Sequence, residues 1–579
     1  MRVMPHLLLP TVLLLTAAFS NARAADADLI LHGGKVATVD SKFSIHQAIA
    51  IGGGRVLAVG PDAEVLQLKG GATRLLDLGG KLVLPGLIDS HTHPTGASVT
   101  EFDHEIPAME SIADVLAYIR DRVSKVKEGE WIILQQVFIT RLKEQRYPTR
   151  AELDEVAPKN PVLYRTGPDA MCNSLALKLS GIDRNFQIND GSGGFIEKDP
   201  RTGEPTGVLR NCTRFVKSKS STKSPTDAQR LARLKELFAD YNATGLTTIC
   251  DRDSGAGALQ SYQKLRESGE LTVRIAASYG VSYLGALSNI IAQIQRVAKD
   301  PLFTRRDPWL RIIGIKMYLD GGMLTGSAYM LEPWGVSVMY GISDPAYRGV
   351  RFIPPEKLLP AVRTAVENGL QFTAHSVGDG AVTALVDAYE EVNRTLPVAP
   401  TRPNITHCNF MTPEAIAKMA RLGVGCDIQP AWLYLDSRTL HQQFGEARTR
   451  WFQPLKSLFA AGVTTGGGSD HMQKIGPDRS NNPYNPFLGI ATAVTRRAKW
   501  FEGRMHPEEA LTREQAVRFY TINNARLLFL ENEVGSLEPG KRADLVVLDR
   551  DVLTCPEDDI RGTRVLRTFV EGREVFARQ

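Results

Sequence analysis

The sequence has little that would take it out of the ordinary globular class. After residues 7–19 it has no long apolar run, which excludes a multi-span membrane protein. It has no internal repeat and no low-complexity tract, so collagen, coiled coil and disordered chains are excluded. Lys and Arg form no stripe, and a net charge of +5 is small for 579 residues. Nucleic acid is therefore not an expected partner. The six cysteines are dispersed and show no Cys-x-x-Cys, which excludes a small disulfide-stapled scaffold. What remains is 43% hydrophobic and 23% charged, with 50 Gly and 32 Pro. That length predicts roughly three or four domain-sized units at ~100–200 residues each.

The one apolar run, LLLPTVLLLTAAF, follows Arg2 and is followed by Ala22-Arg23-Ala24. A basic start, a short apolar core and an A-x-A end make a secretory signal. The run is about 13 residues, short of the ~20 that span a bilayer. Residues 1–24 are expected to be cleaved, leaving an exported protein, periplasmic or secreted, with no membrane attachment. Such a protein meets an oxidising compartment. Sequence cannot choose among the disulfide pairings; Cys250, Cys408 and Cys426, in or beside predicted buried strands, read as free thiols.

Along the rest of the chain the texture changes twice. Residues 25–88 and 525–579 read as short strands with Gly turns, as in AIAIGGGRVLAVG and VLRTFVEGREVF. Two β-rich ends suggest one β-sandwich built from both termini. The middle alternates short apolar strands with helical segments such as EKLLPAVRTAVENG and PEAIAKMARLG. Eight strands are predicted, ending at His93, Asp251, Tyr279, Tyr318, Ser376, Cys408, Ile428 and Asp470. Parallel βα units in that number predict a (β/α)8 barrel over 89–524. Residues 101–243 separate the first two strands and read as an inserted α/β subdomain. With the leader, the ends and the insertion set aside, the remainder is close to the ~250 residues of such a barrel. Residues 319–355, Gly- and aromatic-rich, are a long loop of the kind that serves a site.

The chemistry gathers at predicted strand ends. His91 and His93 are i and i+2 on a strand, so both imidazoles face one side and can reach one metal ion. Lys316 lies near the end of the fourth strand, His375 in the fifth, His407 in the sixth and Asp470 at the end of the eighth. The C-terminal strand ends are where barrel active sites are built. Each residue alone has a bland reading: a satisfied buried histidine, a snorkelling lysine, an aspartate capping a helix. Six together point to a metal site.

These residues resemble the motifs of the amidohydrolase superfamily: LPGLIDSHTH, the strand-end Lys, two later strand-end His, GSD, and the tail NNARLLFLENEVGSLEPGKRADLVVLD. The chain looks most like the amidohydrolase-3 group, which includes N-substituted formamide deformylases. GPDAMCNSLALKLSGI, GGFIEKDPRTGEPTGVL, GLTTICD and IKMYLDGG look like that group's landmarks. The resemblance implies a (β/α)8 barrel flanked by the terminal sandwich and one or two divalent metal ions, usually zinc. It implies that His91, His93 and Asp470 bind the first metal and that His375 and His407 bind the second. Lys316 would be carbamylated, so that its carboxylate bridges the two. Departures from the group's pattern fall at Gly167-Pro168-Asp169, at Thr406 and at Asn211; the six ligand positions are intact.

The expected reaction is hydrolysis of a C–N bond in an amide, N-formyl or cyclic amide substrate by a metal-activated hydroxide. Asp470 would be the catalytic proton carrier. Arg252, Tyr318, Asp320, Trp334 and His471 are candidate substrate contacts, each against an equal reading as ordinary loop packing. The partner is a small-molecule substrate; a homo-oligomer is compatible with the sequence. Two other readings compete: a deaminase on the same barrel, and a non-catalytic exported binding protein.

Overall fold

The computed structural model describes residues 26–579 apart from Gln136, residues 191–193 and Ser221. The expected leader, 1–24, lies outside the described residues. At the centre are eight parallel strands in chain order: β1 (Leu87–Thr92), β2 (Leu246–Ser254), β3 (Arg274–Gly280), β4 (Leu310–Tyr318), β5 (Gln371–Ser376), β6 (Asn404–His407), β7 (Gly425–Ile428) and β8 (Thr465–Gly467). All eight predicted strands are present. Their residues are buried on both faces, as expected of a parallel sheet covered by helices.

The sheet closes into a barrel where the chain leaving β8 meets β1. The Asp470 amide donates to the His91 carbonyl, and the His93 amide donates to the His471 carbonyl, both at 2.8 Å. The glycines of GGGSD permit this approach. A Cβ on Gly468 would stand 2.9 Å from the His91 amide nitrogen. Helices fill the crossovers for reasons visible in the sequence. Pro413–Leu422 is capped by the Thr412 side chain, starts on Pro and stops at Gly423 in the left-handed region. Leu287–Ala298 buries Ile290, Ile294 and Val297 at i, i+4 and i+7. Each such side chain contributes about 1.5–3 kcal/mol of burial.

Strands from both ends of the chain share a six-stranded sheet. Lys35–Ala37, Ile45–His46 and Leu82–Pro85 come from one end; Leu545–Leu548, Val565–Val570 and Arg573–Ala577 come from the other. A second, four-stranded sheet uses only the first end, from Ala27–His32 to Lys69–Asp77. Leu29, Leu31 and Ile49 of the small sheet share a core with Val83, Leu545 and Phe569 of the large one.

Between β1 and β2 a five-stranded sheet runs from Ile132–Gln135 to Pro205–Arg210, with helices Ile112–Val123, Arg150–Val156 and Ser174–Ser180. The last helix of the segment, Asp227–Ala243, packs elsewhere. Its Leu234, Leu237, Phe238 and Tyr241 lie in the main barrel core, so it is a barrel helix leading into β2. All six cysteines are free thiols, and five are buried. Among the described residues no helix is long and apolar enough to cross a membrane.

Candidate metal centre

The C-terminal end of the barrel holds a cavity of about 250 Å³. His91, His93, Lys316, His375, His407 and Asp470 all line it. The six residues span 380 positions of sequence and meet because five barrel strands end on the same face.

Three of them converge at single atoms. His91 Nε2 and His93 Nε2 are 3.2 Å apart, and Asp470 Oδ1 is 3.2 Å from the first and 3.1 Å from the second. Three lone-pair-bearing atoms at such spacing in a buried site need a cation or a proton among them. They form the one cluster of His, Cys, Asp or Glu among the described residues compact enough to hold a metal ion. Asp470 reaches its place through a left-handed backbone, φ 56°, which Asp tolerates better than most residues. Its Oδ2 accepts from Asn482 Nδ2 at 3.2 Å, which turns Oδ1 toward the histidines.

The other three are looser. The His375 and His407 ring centroids are 4.5 Å apart, edge to face, and His407 stacks on Trp432 at 4.8 Å. His375 Nε2 is 3.4 Å from the Gly321 carbonyl. Lys316 is buried, with Nζ 5.0 Å from the centre of the Tyr318 ring, and its amine has no hydrogen-bond partner among the described residues.

Burial shifts most of these groups toward their neutral forms. Burial, then the Lys316 charge, pushes His375 down to about 3. Burial and the neighbouring cations hold His91 and His407 well below the usual imidazole range. Burial lowers Lys316 too, against the pull of Asp427, Asp253 and Asp470. His93 goes the other way: burial opposes its charge, but the Asp470 hydrogen bond and charge outweigh it and raise the ring. Burial raises Asp470, with His93 and Lys316 opposing. Neutral imidazoles and a carboxylate are donors that suit a divalent ion such as zinc.

Of the five candidate substrate contacts, the structure brings one to the cavity. Tyr318 lines it, with its hydroxyl donating to Asp253 at 3.0 Å. Arg252 lies inside the barrel, donating to the Ser90 carbonyl, Ser278 Oγ and Gln371 Oε1, so it supports the floor and does not line the cavity. Asp320 accepts from the amides of Val377, Gly378 and Tyr329 and thereby fixes loops. Trp334 is buried and donates to the Ala328 carbonyl at 2.8 Å, bracing the long loop from behind. His471 points away, held by the Tyr241 hydroxyl and the carbonyls of Gln473 and Lys474. The long loop reaches the cavity through Gly322, Leu324 and Thr325.

Sequence reading missed the apolar wall of Phe138, Trp432 and Met472, and it assigned nothing to β7. Asp427 on that strand takes His91 Nδ1 at 3.0 Å, and the next residue of the same parity, Gln429, takes His407 Nδ1 at 2.7 Å. Period-two alternation on GVGCDIQ was the available signal.

The chain is similar to known proteins in sequence and in fold. The Amidohydrolase family model matches residues 74–576. N-substituted formamide deformylase of Arthrobacter pascens is 29% identical over 559 residues, covering 94% of this chain and 97% of that protein. Protein LONG AFTER FAR-RED 3 of Arabidopsis thaliana is 28% identical, covering 95% and 92%. An uncharacterised metal-dependent hydrolase of Pyrococcus horikoshii shares the fold, with a TM-score of 0.64 at 21% identity over 92% of this chain and 99% of that one.

Proposed function

The chain belongs to the amidohydrolase family, and from that premise we propose an exported hydrolase of amide, N-formyl or cyclic amide bonds in small molecules. It is a metal-dependent enzyme acting on carbon–nitrogen bonds. One observation carries the finer reading: three lone-pair atoms of His91, His93 and Asp470 converge within 3.2 Å on a cavity also lined by His375, His407 and Lys316.

The residues fit a metal. His91, His93 and Asp470 would hold the first ion, and His375 and His407 a second. The buried amine of Lys316 has no lone pair for a metal while protonated. As a carbamate it would offer oxygens to both ions. When bound, a divalent ion supplies Lewis acidity and makes water a nucleophile near neutral pH. Zinc is the ion we assign.

The chain's own side chains do the rest. Asp470, whose carboxylate is made more basic by burial, takes the proton from the attacking water and passes it to the leaving nitrogen. Phe138, Leu324, Trp432 and Met472 keep the far wall apolar and limit bulk water. A volume of about 250 Å³ admits a small molecule only. Support for one sandwich domain from 25–88 and 525–579 is the sheet and core that both ends share. The barrel then takes 89–524, interrupted by the α/β block within 101–243. The leader over residues 1–24 supports export to the periplasm or medium, and assembly into a homo-oligomer stays compatible.

The test is a screen of N-acyl, N-formyl and cyclic amide compounds with zinc-loaded protein, with metal analysis. We expect one to two zinc ions per chain and release of amine and acid. Ammonia release from purines or pyrimidines without amide cleavage would overturn the substrate assignment. A folded protein that takes up no metal would overturn the enzyme reading.

A further inference from the structure

We propose that Asp427 and Gln429 are the positioning residues of the metal centre, setting both the ring orientation and the protonated nitrogen of His91 and His407. The inference rests on the proposed metal site and concerns the side chains that hold its ligands.

The argument is one of donors and acceptors. Asp427 is fully buried at the end of β7. Its Oδ1 faces His91 Nδ1 at 3.0 Å and Gln429 Nε2 at 3.2 Å. Its Oδ2 accepts from Asn404 Nδ2 at 2.6 Å and Thr406 Oγ1 at 3.2 Å, with the Arg252 guanidinium 3.5 Å away. A carboxylate ringed by these donors accepts on both oxygens. His91 must therefore present a proton on Nδ1. Gln429 must turn its amide nitrogen toward the carboxylate, because the opposite orientation would set oxygen against oxygen. That leaves Gln429 Oε1 facing His407 Nδ1 at 2.7 Å, so His407 carries its proton there too. Both rings are left with a bare Nε2.

One carboxylate thereby fixes two imidazoles that belong to different strands, β1 and β6. His91 Nε2 is the atom that meets His93 and Asp470. The His91 and His407 rings stack at 5.0 Å, and Trp432 covers the other face of His407 at 4.8 Å, so neither ring has room to flip. Arg252 has its place in this scheme: it bridges Ser90, Ser278 and Gln371 and offers its charge to Asp427 from below. Outer partners of this kind fix tautomer and raise ligand basicity at metal sites.

The first test needs no metal. Long-range 1H–15N spectra of metal-free protein with 15N-labelled histidine should show His91 and His407 protonated on Nδ1, each assigned by the signal lost in its own His→Asn variant. Protonation on Nε2 at either ring overturns the inference. The second test is zinc affinity by chelator competition. Gln429→Met and Asp427→Asn should each weaken zinc binding about 10- to 100-fold. Gln429→Met should do so with an unchanged melting point of the metal-free protein, which keeps the test available should Asp427→Asn fail to fold. Wild-type zinc affinity in Gln429→Met, or a loss that only tracks a lower metal-free melting point, overturns it. A wild-type protein that takes up no zinc would instead refute the function proposed above, and the tautomer result would still decide this inference.

Discussion

The two halves of the proposed metal centre share one cavity and differ in how they are made. His91, His93 and Asp470 meet at atoms 3.1–3.2 Å apart. They do so because β1 and the chain after β8 are stitched by backbone hydrogen bonds at the same residues. Lys316, His375 and His407 come from β4, β5 and β6; the two rings meet edge to face, and the amine has no hydrogen-bond partner among the described residues. The first half is preorganised by barrel closure. On the function proposed above, the second would be completed when Lys316 gains ligand atoms. Preorganisation and chemical completion are thus separated on one barrel face.

The largest expected effect is on the closed half. Asp470→Asn keeps the shape and removes the proton acceptor, so kcat should fall by about 10²–10⁴ with the fold intact by circular dichroism. Near-normal turnover would break the assignment of the proton to Asp470. Next comes the open half. Wild type reconstituted with zinc and bicarbonate should hold two ions per chain, whereas Lys316→Ala should hold one, retained by the closed half. Equal stoichiometry in the two proteins would mean that the halves do not differ in the way described. The intact mass of the loaded wild type should exceed that of the apoprotein by a carboxyl group as well as the metal.

How much of this was legible beforehand follows from the same contrast. The barrel strands could be read because each is a short apolar run followed by a helical segment or a turn, and parallel βα order does the rest. The six cavity residues could be read because strand ends set their position and alternation sets their side. Arg252 could not be placed: whether a β2 side chain points inward is decided by Ser278 and Gln371 on other strands. His471 was left open between substrate contact and loop packing; Asp470, at φ 56°, turns the chain and sends the next ring away. Asp320 is a charged residue after a strand, but its carboxylate is taken up by backbone amides more than 50 positions later. Asp427 and Gln429 were within reach of the period-two reading, yet nothing local marks them as partners of histidines on β1 and β6.

Two histidines, one from each half, have opposite linkage to pH. In the metal-free protein His375 has a folded value of about 3 against an ordinary 6.5. Between those values the unfolded chain binds a proton that the folded chain refuses, so stability falls as pH drops below 6.5. At pH 5 this is worth about 2 kcal/mol. His93, raised by Asp470, has the opposite sign. Its contribution is complete below 6.5 and is lost as pH rises through the folded value. Urea melts at pH 7 and pH 5 should therefore show His375→Gln losing less stability than wild type on acidification. His93→Gln should lose more. If both variants shift in the same direction, His93 and His375 do not have opposite linkage to pH.

The smallest effect should come from Tyr318, which borders the open half without joining it. Its hydroxyl is spent on Asp253 of β2, two strands away, and only its ring faces His375 and Lys316. Tyr318→Phe removes one hydrogen bond, worth about 0.5–1.5 kcal/mol, and keeps the ring surface. Since 1.4 kcal/mol is a factor of ten, kcat/KM should change by less than about tenfold, and through KM more than kcat. Zinc stoichiometry should not change at all. A hundredfold loss in kcat would place the phenol among the reacting groups. The open half would then be completed by two residues of β4 instead of by Lys316 alone.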